Sequence, residues 1–149
     1  MVYRLYVETV TQDDKIAYAY TFYNHQDFMV YKHVGISTYA QNKNAILEAS
    51  VIALTYFERS IRRRYYDEHF STRIDEDYVT LYTEFPKISE VASIYKTDEA
   101  ASIGYIGDDK ELWEALVPFF TQKTMMFETA TEEKFINVAK ELAQTAFTK

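Results

Sequence analysis

The sequence predicts one α/β domain over residues 1–149. Its core is a five-stranded mixed sheet, a three-strand antiparallel meander plus two parallel strands, with helices packed on both faces. Three observations carry this. Apolar residues recur with period two through the first third of the chain. The pattern then turns helical over a long stretch free of Gly and Pro. Two later strand-like runs alternate with helical segments, and a helix-to-strand crossover most often makes a parallel pair.

In "YRLYVETV" Tyr3, Leu5 and Val7 fall at every second position, as do Ile16, Tyr18, Tyr20 and Phe22 in "KIAYAYTFY". "TQDD" between them has turn composition, which makes Asp13 and Asp14 solvated turn residues. "NHQD" is the next turn, and "FMVYKHVG" is a third strand ending at Gly35. From Ala40 to about Arg64 the chain reads as a helix, with Ile46, Leu47, Ala49, Val51, Ile52, Ala53, Leu54, Tyr56 and Phe57 around most of its circumference. Asn44, Glu48, Thr55, Arg59 and Arg62 leave only a narrow wet stripe, so the helix is expected to be largely buried. "DEHFSTRIDED" is a polar connection to the strand "YVTLYTE". "ISEVASIYKT" follows as a short helix, "DEAASIGYIGDD" as a loop, and "KELWEALVPFFTQ" as a helix that Pro118 can kink. "TMMFETA" is the fifth strand. "TEEKFINVAKELAQTAF" is a terminal helix with Phe135, Val138, Ala139, Leu142 and Ala146 on one face and Thr131 as its cap, with Glu132 and Glu133 near the positive end of the dipole.

Composition narrows the function. The 48% hydrophobic content supports one real core, and 3 Gly with 2 Pro leave little room for a linker. The 14 Tyr and 10 Phe on alternating positions are expected to fill that core. With no Cys there are no disulfides, thiolate metal sites or cysteine nucleophiles, which suits a reducing cytosol. No apolar run has signal-peptide or membrane-spanning length, so a cytoplasmic protein without membrane contact is expected. A net charge of -7 argues against broad electrostatic adhesion to phosphate backbones.

"VTLYTEF" has the β-branched and aromatic character of a strand, yet it closes on Glu84 just before Pro86, which forbids continuing the ladder. A carboxylate at the C-terminal end of a strand in an α/β sheet stands where ligands are usually held.

The order of elements, and five local patterns along it, resemble the ribonuclease H superfamily. "LYVET" is similar to the family's first-strand motif, with Glu8 in the Asp place. "QNKNAILEASVIAL" resembles its helix of paired Asn, then Ala-Glu, then Ala and Leu. "VTLYTEF" resembles the fourth strand, with Glu84 in the Asp place. "KELWEAL", "TMMFETATEE" and "VAKELAQTA" follow the penultimate helix, last strand and final helix. The resemblance implies four carboxylates around two Mg2+ ions. Here the first and third are Glu8 and Glu84, each one methylene longer than Asp, while the second falls on Ile46 and the fourth on Lys140.

Half the acid set is therefore replaced. Glu48 does not substitute for Ile46, because two residues along a helix rotate the side chain by about 200°, and only a register slip brings it to the site. Asn137, one turn before Lys140, offers at most a neutral oxygen. The family's substrate handles are also missing: "TQDD" is not a Gly-rich loop, "FETATEE" has no His, and "YKTDEAASIGYIGDD" is not a basic protrusion. If Lys140 sits near Glu8 and Glu84, its ammonium supplies the charge that metal otherwise brings. The bland reading pairs it with Glu133 or Glu141 on its own helix.

Arg59, Arg62, Arg63 and Arg64 form the basic concentration of the chain, either complementing a helix C-terminus beside Glu58, Asp67 and Glu68 or offering a phosphate-binding patch. His25, His33 and His69 have no ligand spacing. The expected function is a binding or interaction module with a degenerate site and no cofactor, with a protein partner favoured over nucleic acid. Two alternatives stand beside it. One is a Mg2+- or Mn2+-dependent nuclease on RNA:DNA hybrids that uses Glu8 and Glu84, with Glu48 as a further metal candidate. The weaker one is an acidic mimic of nucleic acid.

Overall fold

Alternation in the first strands sorts side chains by size as well as by polarity, and this decides what covers each face of the sheet. A computed structural model describes residues 2–61, 77–96 and 110–148. The strands are β1 (Val2–Gln12), β2 (Lys15–Tyr23), β3 (Met29–Ile36), β4 (Tyr78–Thr83) and β5 (Met125–Thr129). The helices are α1 (Asn42–Tyr56), α2 (Lys87–Lys96), α3 (Lys110–Phe120) and α4 (Glu133–Gln144). The sheet order is β3-β2-β1-β4-β5. β1–β2 and β2–β3 pair antiparallel, whereas β1–β4 and β4–β5 pair parallel. This is the predicted mixed sheet.

One face carries the large side chains. Leu5, Val7, Tyr20, Phe22, Leu81 and Met125 form a single core with Leu47 and Leu54 of α1, Ile88 of α2 and Trp113 and Leu116 of α3. Fully burying a Leu such as Leu81 stabilises by roughly 1.5–3 kcal/mol. The opposite face carries Ala17 and Ala19 on β2, and these small residues let Ala143 of α4 pack close. Further along, Tyr6 and Tyr23 pack on Phe135 and Ile136 of the same helix.

Several local expectations change. α1 proper stops at Tyr56 and continues as a wider π turn over Phe57–Ile61. Arg62, Arg63, Arg64 and His69 lie outside the described residues, as does the "DEAASIGYIGDD" loop. The wet stripe on α1 is narrower than expected, since Asn44 is buried. Glu58 accepts a hydrogen bond from Gln122 Nε2 at 2.5 Å, tying the end of α1 to the segment before β5, and Arg59 is exposed. The buried face of α4 runs through Phe135, Ile136, Ala139 and Ala143, with Val138 and Leu142 half-buried at its margin. Its N-cap residue is Glu132 rather than Thr131 and makes no side-chain capping bond. Glu133 still falls in the first turn, where the dipole favours it. Among the described residues no helix is long and apolar enough to cross a membrane.

Candidate functional site

The parallel register between β1 and β4 builds the site. Leu5 stands opposite Leu81 and Tyr6 opposite Tyr82, so continuing both chains by two residues brings Glu84 beside Glu8 on the face that α4 covers. The antiparallel partner of Glu8 is Ala19, whose small side chain leaves space for a carboxyl. Glu8 is 2% exposed. Its Oε2 accepts a hydrogen bond of 3.1 Å from the backbone N–H of Glu84. That N–H is available because the ladder ends at Thr83, with Pro86 two residues beyond Glu84.

Lys140 completes the group from α4. Its Nζ lies 2.5 Å from Glu84 Oε1, and both side chains are partly open to solvent. It is this carboxylate, and not Glu133 or Glu141 on its own helix, that Lys140 meets. Burial pushes the Glu8 carboxyl up to about 8, with the Glu84 carboxylate adding to the effect. The Glu84 backbone N–H and the Lys140 ammonium oppose that shift without cancelling it. The hydrogen bond to Glu84 raises Lys140 above the usual lysine value against the opposing effect of its burial. The sequence suggested a cation relieving both carboxylates. Instead Lys140 pairs with the outer one, and the inner one stays protonated near neutral pH. Glu8-H, Glu84 and Lys140 then sum to no net charge.

The other candidates do not join this group. Ile46 is buried in the main core with Val7 and Leu81, on the opposite face of the sheet. Glu48 accepts hydrogen bonds from Ser37 Oγ at 2.8 Å and Thr38 Oγ1 at 3.3 Å, which commits it to the segment after β3. Asn137 is exposed. His33 packs against the rings of Tyr18 and Tyr20. Among the described residues no group of three or more His, Cys, Asp or Glu is placed to hold a metal ion. A pair of Mg2+ ions asks for a full set of oxygen ligands in near-octahedral array. Two carboxyls do not fit that demand when one receives a backbone N–H and the other carries an ammonium.

Two features beside the site were not foreseen. Tyr82, Tyr6 and Phe135 stack in series with centroid distances of 4.9 and 5.0 Å, continuing the line of side chains that leads to Glu8 and Glu84. Arg4, two positions before Tyr6 on the same face, lies over the Phe135 ring at 4.5 Å and pairs with Asp27 and Glu132. The period-two run Arg4, Tyr6, Glu8 in the sequence is the signal for this face, complementary to the apolar set Tyr3, Leu5, Val7. On the opposite face of the sheet, beyond Val7, Asn42 Oδ1 accepts from Thr9 and Thr11, which pins the start of α1 to β1.

By sequence, no protein-family model matches the chain and no curated protein matches it. Solved structures do. LC11-RNase H1 in complex with an RNA/DNA hybrid superposes with a TM-score of 0.66 at 14% identity, over 97% of this chain and 95% of that one. The N-terminal RNase H domain of a Mycobacterium tuberculosis protein, solved as a fusion with maltose binding protein, gives 0.65 at 10% identity, over 99% and 94%. RNase H1 from the archaeon Halobacterium salinarum gives 0.62 at 12%, over 99% and 98%.

Proposed function

We propose that this chain, whose fold is ribonuclease H-like, is a non-catalytic interaction module, in which a neutral Glu8–Glu84–Lys140 group stands where the fold's nucleases hold metal. What supports this reading is the position of Lys140. An ammonium 2.5 Å from Glu84 competes directly with a divalent ion for that carboxylate. Ile46, in the place of the helix acid, contributes no oxygen, and Glu8 is held by burial in its protonated form. The group therefore serves stability, joining β1, β4 and α4. Function falls to the surface, and a chain of net charge -7 suits a protein partner better than a phosphate backbone.

The test is a metal titration of the intact chain. Millimolar Mg2+ or Mn2+ is expected to leave its melting temperature unchanged, and a labelled RNA/DNA hybrid is expected to remain uncut. Cleavage that needs Mn2+ and disappears in Glu84→Gln would replace this reading with a nuclease built on Glu8 and Glu84.

A further inference from the structure

Among the described residues the sheet order leaves β3 at an edge, and four of the eight exposed large apolar residues lie on it or just before it. Phe28 is 64% exposed, Val30 47% and Ile36 45%, with Met29 between the first two. An edge strand presents alternate backbone N–H and C=O groups outward; β3 has no Pro, its pairing with β2 is irregular at Val30, and from Tyr31 to Ile36 it keeps a regular register that can template a further strand. Ile36, the last residue of β3, also lines a cleft of about 420 Å³. Asp13 and Asp14 of the β1–β2 turn, Lys15 at the start of β2, and Phe147 line the same cleft. No described residue forms an ion pair with Asp13 or Asp14. Two carboxylates against one ammonium leave the cleft acidic, with an apolar wall of Ile36 and Phe147.

We infer that the β3 edge and the adjoining cleft form one docking surface for a protein partner, whose extended segment adds a strand to β3 and lays a basic side chain between Asp13 and Asp14. The edge supplies main-chain hydrogen bonds and the exposed apolar residues meet alternate side chains of the partner, which is how strand addition divides affinity from specificity. The cleft supplies charge complementarity: a Lys or Arg stem lies along Ile36 and Phe147 while its head reaches the carboxylates. The same acidic cleft repels phosphate, so a nucleic acid is the wrong occupant. The second edge, β5, is shorter and carries Glu128, with Met126 as its exposed apolar residue. This inference deepens the partner-binding reading above and rests on it.

The test uses the full chain, isotope-labelled, and a capped peptide of alternating Val and Thr with Arg at each end. A companion peptide has Glu in place of both Arg. The Arg peptide is expected to shift the amide resonances of Lys32 and Val34 together with those of Asp13 and Asp14. Its affinity is expected to fall about tenfold in Asp13→Asn/Asp14→Asn, and the Glu peptide is expected to bind at least as weakly. Asn tolerates the left-handed φ of 55° at position 13, so this variant keeps the turn. Lys32→Pro, which removes an outward-facing edge donor in the regular part of β3 without touching the cleft, is expected to weaken the same peptide. Shifts confined to Met126–Glu128, equal affinity for the two peptides, or pairing of two copies through β3 in the free chain would each overturn the inference. Its failure is separable from failure of the broader reading. A chain that ignores the peptide and also ignores Mn2+ loses this surface alone, whereas hybrid cleavage removes the non-catalytic reading whatever the peptide does.

Discussion

Lys140 reaches Glu84 across the space between α4 and the end of β4, with an Nζ to Oε1 distance of 2.5 Å, while Glu84 turns its backbone N–H toward Glu8. One residue thus links a cation above it to a buried acid beside it. That arrangement assigns different charge states to two chemically identical side chains. The outer carboxyl faces the Lys140 ammonium. The inner one is protonated because burial, more than its neighbour, penalises the charge.

Removing the cation tests the first half. Lys140→Ala is expected to cost about 0.5–1 kcal/mol, because the pair is partly open to solvent and screened. Lys140→Glu is expected to cost more and to gain a response to millimolar Mn2+ that the native chain lacks, since a third carboxyl then faces Glu84. Denaturant midpoints with and without the ion measure both effects. No response in Lys140→Glu would show that this face cannot accept a metal by charge replacement alone.

Glu8 predicts a pH dependence of definite sign. Its carboxyl is pushed from 4.5 to about 8 in the folded chain, so between those values the native state binds a proton that the unfolded state has lost. The contribution of Glu8 to stability is fully present below about pH 4.5, declines as pH rises and is gone above about pH 8. Glu8→Gln removes this slope. Relative to the native chain, the variant is expected to gain about 1–3 kcal/mol of stability between pH 6 and pH 8.5. A constant difference between the two stability curves across that interval would refute the protonated assignment.

Gly35 is required by a close approach. A Cβ there would lie 2.6 Å from Tyr18 Oη and 2.7 Å from the ring carbon that bears it. Gly35→Ala is expected to destabilise by about 1–2 kcal/mol, because the ring must leave its place against His33. In Tyr18→Val the same substitution is expected to cost much less, and a double-mutant cycle on urea midpoints reads the coupling.

The arginines after α1 predict the behaviour toward nucleic acid. Any binding of the native chain to RNA, DNA or hybrid is expected to be weak and steeply salt-dependent, and to vanish in Arg62→Ser/Arg63→Ser/Arg64→Ser. Filter retention across a salt series checks it. Strong binding that survives the triple change would point instead to stacking on exposed aromatic side chains.

Much of the architecture was legible in the amino-acid sequence, because it follows from local periodicity. Tyr3, Leu5 and Val7, then Tyr18, Tyr20 and Phe22, predict two strands and the face they share, and the Gly-free stretch around Leu54 predicts the helix that covers it. The sequence also placed Glu84 at a strand end, since Pro86 stops the ladder. Three things were decided only by tertiary structure. Asn44 reads as a wet position on α1 and is buried, which the local pattern of polar residues does not reveal. Glu48 has the chemistry of a metal ligand, yet Ser37 and Thr38, on the segment between β3 and α1, claim it. The charge states at the site depend on burial and on a partner 56 residues away, 140 − 84, for Glu84 and 76 residues away for Glu8. Periodicity reports which face of an element turns inward. It carries no information on how deeply a carboxyl sinks or which distant group reaches it, and desolvation, the larger cause of the shift at Glu8, arises only when the sheet and α4 close around it.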